Sequence, residues 1–415
     1  MSTMLLRQNR NFRLHFTAGT ISNLGDGVSV LAMPWLATLL TRDAFLISLV
    51  VMAGRLPWFL FSLPAGVWTD RADRRKLMVR ADLVRMVLTL GVIGLILSVP
   101  SLPQPADSGP GMILMLASLG FLLGTAEVLR DNAAQTLMPQ IVAPADLERA
   151  NGQMWSAEQV MNQFVGPPLA GALIGFGIAL PFGLDAATFA LAAALISMLA
   201  LPPQILPVRR AFLSELKEGL VWLKDHVLIR RLAVILGITN AVFTAAITML
   251  TLYSQEILGF GPFGHGMLLT AGAAGGVLAG LAGPGIAARL GPGRTMHGAM
   301  IIFALSYLLL GLFPSRPMAV VGLFGDAFGG VLWNVVTVSY RQRVIPREIL
   351  GRVNAIYRFL GWGMMPIGAI AGGLIVRWVE PLIGREDALM LPFTLAGLVT
   401  IALTVYGFFR IRFPA

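Results

Sequence analysis

The chain has no cysteine, and only 13% of its residues carry charge. Without cysteine it has no disulfide framework and no thiolate metal site. The four histidines, His15, His226, His265 and His297, are scattered, with no spacing that suits a metal ion. No HExxH or GxSxG stretch occurs, so the usual marks of a membrane-embedded hydrolase, a metal pair or an activated nucleophile, are missing. GPGRT at 291–295 lacks the lysine and the spacing of a nucleotide-binding loop. Any work the protein performs is therefore expected to draw on an ion gradient, with no cofactor.

What the chain has in abundance is apolar side chain. Hydrophobic residues make up 56% of the 415 and the mean hydropathy is +0.76. That exceeds what a soluble domain of this length can hide, so an integral membrane protein is expected. The net charge of +10 would point to nucleic acid in a soluble protein. Here the basic residues sit in short loops between apolar runs, which is the pattern of membrane orientation instead. Runs of about 18 to 25 apolar residues predict twelve spanning helices, at 14–38, 44–66, 78–99, 111–131, 153–177, 180–201, 233–256, 266–288, 296–313, 317–340, 354–378 and 388–409. The N-terminus leads into the first of them without a short apolar region and cleavage site, so that helix is expected to be retained. The fold class expected is an all-α membrane protein of two six-helix bundles, 1–201 and 233–415, joined by a linker at 202–232. Within the linker, SELKEGLVWLKDH at 214–226 is amphipathic. It reads as a helix on the cytoplasmic membrane face or as a partner-binding site, and its basic character favours the membrane.

Two observations relate the halves. QTLMPQIVAPADLERAN at 135–151 and QRVIPREILGRVN at 342–354 share a Gln, a Pro four residues on, a polar turn, a Leu, an Arg and a closing Asn. ARLGPGRT at 288–295 is a weak echo of the loop after the second span. Parallel repeats of six spans suit secondary transporters, which bind substrate near the midplane. With loops assigned to alternate sides, 24 of the 31 Lys and Arg fall on the side of both termini and four on the other, while Arg55, Arg85 and Arg358 lie inside spans. Both termini are expected in the cytoplasm.

An ionisable side chain at the bilayer centre costs about 2.5 to 3.5 kcal/mol on insertion scales, so each one is a functional candidate. Asp26 lies about 20 Å into the first span at 1.5 Å per residue. It reads either as a coupling or substrate group, or as one half of a static pair with Arg55 in the next span. Glu127, Arg130 and Asp131 are expected in the last turns of the fourth span, near the interface, and read as a proton relay or a cytoplasmic latch. Asp82 and Arg85 read as a structural i,i+3 pair. Asp326, among glycines in the tenth span, is a second cavity candidate. Glu158 and Asn162, with Gln163, could bond a polar substrate or bridge helices. Gly166, Pro167 and Gly171 predict a kinked, closely packed fifth span.

Seven charges crowd Gly66 to Arg80, GVWTDRADRRKLMVR, between two apolar runs, which predicts a tight hairpin. Gly66, Asp70, Arg71, Arg74 and Arg75, followed by Lys76, match the pattern G-x-x-x-D-R-x-G-R-[RK], with Asp73 where the second glycine stands. This resembles the loop after the second helix of the major facilitator superfamily. NFRLHF, SNLGDG, RLPWFLFSLPAGVWTDRADRR, GTAEVLRDNAAQTLMP and LGRVNAIYRF extend the likeness over the whole chain. They resemble the drug:proton antiporter group that includes macrolide efflux and enterobactin exporter-like proteins. Gly166, Pro167 and Gly171 resemble part of that group's G-P-x-x-G-G element, with Ala170 in place of its first closing glycine.

The resemblance implies a monomeric exporter of an amphipathic small molecule against protons, in a bacterial inner membrane and surrounded by lipid. It also implies that Asp70 faces the start of helix eleven at 351–354, and that Arg74 faces Asp131 or Glu127, locking the outward-facing state. An uncoupled or uptake carrier for a siderophore or lysolipid is the alternative within transport. A receptor or assembly protein on the same fold is the alternative outside it.

Overall fold

A computed structural model describes residues 4–104, 110–201, 212–346, 349–411 and 413. Every regular element among them is helical. Among the described residues ten helical stretches are long and apolar enough to cross a membrane, as lipid demands of a backbone that must satisfy its own hydrogen bonds. The protein is an integral membrane protein.

The chain divides into two compact units. The first comprises Met1–Arg42, Ala53–Val208 and Gly261–Met267. Its helices are α1 (Met4–Gln8), α2 (Arg10–Leu40), most of α3 (Ala44–Arg71), α4 (Arg74–Ser98), α5 (Gly111–Ile141), α6 (Leu147–Gln159), α7 (Gly166–Phe176) and α8 (Ala179–Ser197). In this unit α2 packs on α7 and α8, and α4 packs on α5 and α8. The second comprises Asp43–Met52, Arg209–Phe260 and Leu268–Ala415. It holds α9 (Phe212–Asp225), α10 (Val227–Glu256), most of α11 (Pro262–Leu290), α12 (Pro292–Leu312), α13 (Arg316–Val344), α14 (Leu350–Trp362), α15 (Met364–Ile383) and α16 (Arg385–Arg410). Here α10 packs on α15 and α16, and α12 packs on α13 and α16.

The ends of these helices differ from the sequence expectation in ways that matter. Asn9 caps α2, its side chain accepting from the Phe12 amide at 2.9 Å and donating to the Ile141 carbonyl at 2.6 Å. α5 continues ten residues beyond 131, because Leu137, Met138 and Ile141 are buried in the core around Phe12 and Met78. Glu127, Arg130 and Asp131 are therefore well inside a helix rather than in its last turns. The predicted hairpin over 66–80 shrinks to Ala72 and Asp73, since α3 runs to Arg71. Asp73 adopts φ −64°, ψ 108° and caps α4, accepting from the Lys76 amide at 3.1 Å. Such a backbone needs no glycine, and an N-cap favours Asp. The side chains of Asp70 and Arg71 and the packing around Gly66 lie outside the described residues.

The predicted fifth span is not one α-helix. Between α6 and α7 the backbone widens into a π turn at Val160–Val165. Pro167 and Pro168 have no amide hydrogen for the carbonyls one turn back, so the ladder reorganises ahead of them. A Cβ on Gly27 of α2 would lie 2.7 Å from the Asn162 Cα, and one on Gly166 would overlap Gly27. Glycine on both sides lets the two backbones touch there. The eleventh predicted span breaks likewise, at Gly363 between α14 and α15, ahead of Pro366.

The linker forms a helix, α9, one face of which packs on the rest of the second unit. Its Glu218 is ion-paired with Arg352 of α14, a Cβ on Gly219 would sit 2.7 Å from the Ile356 side chain, and Leu223 belongs to the core of the second unit. This face of α9 is buried on α14, and α10 begins at Val227, inside the expected linker.

Candidate functional site

The first unit holds a buried polar network in otherwise apolar surroundings. Asp26 is 16 residues from the start of α2, about 24 Å along it. Its carboxylate is ion-paired with the Arg85 guanidinium of α4. Arg85 also donates to Ser22 Oγ at 3.3 Å, lies 3.7 Å from Asp82 Oδ1, and covers the Phe189 ring of α8 at 4.0 Å. Asp82 in turn lies 3.4 Å from Nε of Arg130 on α5, which meets its neighbour Asp131 at 3.3 Å. Arg85, Asp82 and Arg130 are all buried, at 3%, 0% and 4% exposure. Two buried guanidinium groups thus bind three carboxylates across three helices, with Asp82 fully buried and Asp26 and Asp131 partly exposed. Removing one partner of such a set leaves an uncompensated buried charge, so the groups stand or fall together.

The structure departs from the sequence expectation at the centre of this network. Arg55 is exposed, and Asp26 takes Arg85 instead. The Asp82–Arg85 pair is one edge of a network that spans helices rather than a local i,i+3 contact. Glu127 is half-buried one turn from Arg130. Asp131 is paired within its own helix, Arg75 donates to the Leu199 carbonyl at 2.9 Å, and Arg74 opens α4, half-buried. Glu158 is exposed on α6, and Asn162 sits in the π turn against Gly27. Pro167 and Gly171 face the first turn of α11. The Pro167 carbonyl lies where a Cβ on Gly266 would be, and the Pro262 carbonyl where one on Gly171 would be. In the second unit Asp326 is buried and accepts from the Tyr307 hydroxyl at 2.5 Å. Arg341 donates to Asn354 Oδ1 at 2.8 Å and covers the Tyr357 ring at 3.8 Å.

Three polar residues of the first unit escape the sequence reading. Ser22 bonds Arg85, and Ser29 donates to Asp185 Oδ2 of α8 at 2.6 Å. Asp185 is buried at 2% exposure. Its signal is present in the sequence as a lone acid in FGLDAATFA, an otherwise apolar stretch.

Comparison with known proteins places the chain among transporters. The multidrug efflux pump Tap of Mycolicibacterium fortuitum is 26% identical over 400 residues, covering 93% of this chain and 94% of the pump. The enterobactin exporter EntS of Shigella boydii serotype 4 is 27% identical over 386 residues, covering 90% and 87%. Among solved structures, a bacterial homologue of the iron transporter ferroportin superposes with a TM-score of 0.68 at 18% identity, over 95% of this chain and 98% of that one. A bacterial homologue of the lysosomal transporter Spinster gives 0.71 at 14% identity, over 96% and 95%. These structures share the fold. Residues 2–404 match the family MFS_3, described as transmembrane secretion effectors, and with nearly the whole chain inside that match the protein belongs to this transporter family.

Proposed function

We propose that this chain is a secondary active exporter of an amphipathic small molecule, driven by proton antiport and working by alternating access. The observation that carries the reading is the Asp26–Arg85 pair, a carboxylate and its counter-ion held mid-helix in the first unit. A carboxyl group at that depth can exchange a proton for a substrate contact, and its release from Arg85 gives the protein two states to move between. The relatives that are efflux pumps and exporters support the direction of transport and the substrate class, a drug-like compound or a siderophore.

The arrangement we infer is twelve spans in two parallel six-helix repeats, with both termini in the cytoplasm of a bacterial inner membrane. Its support is the packing within each unit. The pairs α2–α8, α4–α5 and α4–α8 of the first have counterparts six spans on in α10–α16, α12–α13 and α12–α16 of the second. Proline also interrupts the fifth and eleventh spans alike. The charged segment around Arg74, with Asp131 and Glu127, serves as the cytoplasmic latch in this account. The working unit is a monomer in lipid, with protons as the coupling ion.

A direct test uses purified protein in liposomes with an internal pH dye, an imposed pH gradient, and a panel of lipophilic cations, macrolides, siderophores and lysolipids. Substrate movement accompanied by proton counter-flow is the expected result. Movement without protons makes the protein an uncoupled carrier, and no movement of any panel member favours a receptor or assembly role.

A further inference from the structure

Asp185 of α8 lies beside the ion-pair network, packed against Gly25. Its Oδ2 accepts from Ser29 at 2.6 Å, and its Oδ1 is buried with no hydrogen-bond donor. That bare oxygen is packed against Gly25, where any Cβ would overlap both it and the Thr188 hydroxyl. Gly25 is the residue next to Asp26. Phe189, whose ring carries the Arg85 guanidinium at 4.0 Å, is one helical turn from Asp185 on the same α8. The charged groups that face Asp185 are Asp26 from α2 and Arg85 from α4; α7, GPPLAGALIGF, has no ionisable side chain.

The charges around Arg85 and Arg130 are unbalanced. Asp26, Asp82 and Asp131 contact the two guanidinium groups, with Glu127 one turn from Arg130 and Asp185 one turn from the Phe189 ring under Arg85. Arg130 already serves Asp82 and Asp131, so when Asp26 takes up a proton Arg85 keeps only Asp82, 3.7 Å away and shared with Arg130. A buried guanidinium left with half a counter-ion favours a second carboxylate. The bare oxygen of Asp185 belongs to the residue one helical turn from Phe189, the ring that the Arg85 guanidinium covers.

We propose that Asp185 is the alternate carboxylate for Arg85, so that the arginine swings between Asp26 in α2 and Asp185 in α8 as a proton moves on and off each acid. In this scheme the arrangement with Arg85 on Asp26 has Asp26 ionised and the proton on Asp185. In the other, Asp26 has gained a proton, Asp185 has released one, and the charge of the trio is unchanged. One proton enters and one leaves per swing, and the released proton is the one a coupled exporter must hand on. Gly25 is then the feature that leaves room for Oδ1, and Ser29 fixes the carboxyl plane from the other side. This inference rests on the proton-antiport reading above.

The test compares wild type, Asp185→Asn, Asp185→Glu and Ser29→Ala in liposomes with ethidium as the transported probe. It reads ethidium binding, ethidium flux and ethidium-driven proton flux across pH. In Asp185→Asn we expect binding within threefold of wild type and proton flux reduced at least tenfold, with Asp185→Glu recovering a substantial part. Ser29→Ala removes one hydrogen bond to a carboxyl group, worth enough to move the half-maximal pH of proton flux by about one unit. It reads the same site should Asp185→Asn fail to fold. Proton flux within twofold of wild type in Asp185→Asn, or an unmoved pH profile in Ser29→Ala, overturns the proposal. If wild type moves ethidium without protons, or does not move it, the antiport reading fails first and this proposal falls with it.

Discussion

Arg85 of α4 is ion-paired with Asp26 of α2, although Asp82, three residues before it in its own helix, offers a closer partner in sequence. A cycle of single and double substitutions measures this choice. Asp26→Asn and Arg85→Gln should show a coupling of about 1 to 3 kcal/mol in thermal unfolding, the range for groups in one network. Asp26→Asn with Arg55→Gln should be additive to within about 0.5 kcal/mol, as for groups that share no contact. Equal coupling in both cycles would mean that Arg55 also serves Asp26.

That pairing marks the limit of what can be read from the residues. Membrane helices are legible because apolar runs near 20 residues have few other uses, and because Lys and Arg in the gaps orient them. Which of two intramembrane arginines meets Asp26 depends on how three helices are rotated about their axes, and nothing local encodes that rotation. Asp82 also misleads, since its i,i+3 spacing supplies Arg85 with a sufficient partner on paper. Helix ends are lost for a similar reason. α5 runs to Ile141 because Leu137 and Met138 are buried against other helices, a tertiary gain invisible in the polar look of NAAQTLMPQ. Asp73 is a case where local chemistry suffices, since an Asp ahead of a basic helical stretch is a good cap wherever it occurs.

The crossing of α2 and α7 depends on bare backbone. Gly27→Val places atoms inside the Asn162 main chain, so we expect a loss of at least about 1 to 3 kcal/mol or failure to fold. Gly54→Ala meets nothing within 4 Å and should stay within about 1 kcal/mol of wild type. Detergent-solubilised thermal melts separate the two, and a wild-type midpoint for Gly27→Val would show that this contact is not formed.

Asp326 accepts one hydrogen bond, from Tyr307, in a buried setting. Tyr307→Phe leaves that carboxyl group without its donor and should cost about 1 to 3 kcal/mol. Adding Asp326→Leu should recover part of the loss, because a pair of apolar groups leaves no buried polar atom unmet. A double variant less stable than Tyr307→Phe would indicate that Asp326 has a further partner to lose.

Because the chain contains no cysteine, single cysteines can be placed without background. With the Arg74 segment acting as a cytoplasmic latch, Arg74→Asp should favour the inward-facing state. Labelling of a cysteine at Gly261, an exposed position just ahead of α11, should then fall by half or more in membranes. Labelling equal to that of the parent would remove Arg74 from the latch.

The most direct test of the account compares wild type with Asp26→Asn in liposomes under an imposed pH gradient, recording ethidium movement and internal pH together. The account predicts ethidium-triggered proton flux in wild type and none in the variant, with the variant still folded and monodisperse. Full coupled flux in Asp26→Asn would contradict it, and would make the Asp26–Arg85 pair a packing element of the first unit rather than its coupling centre.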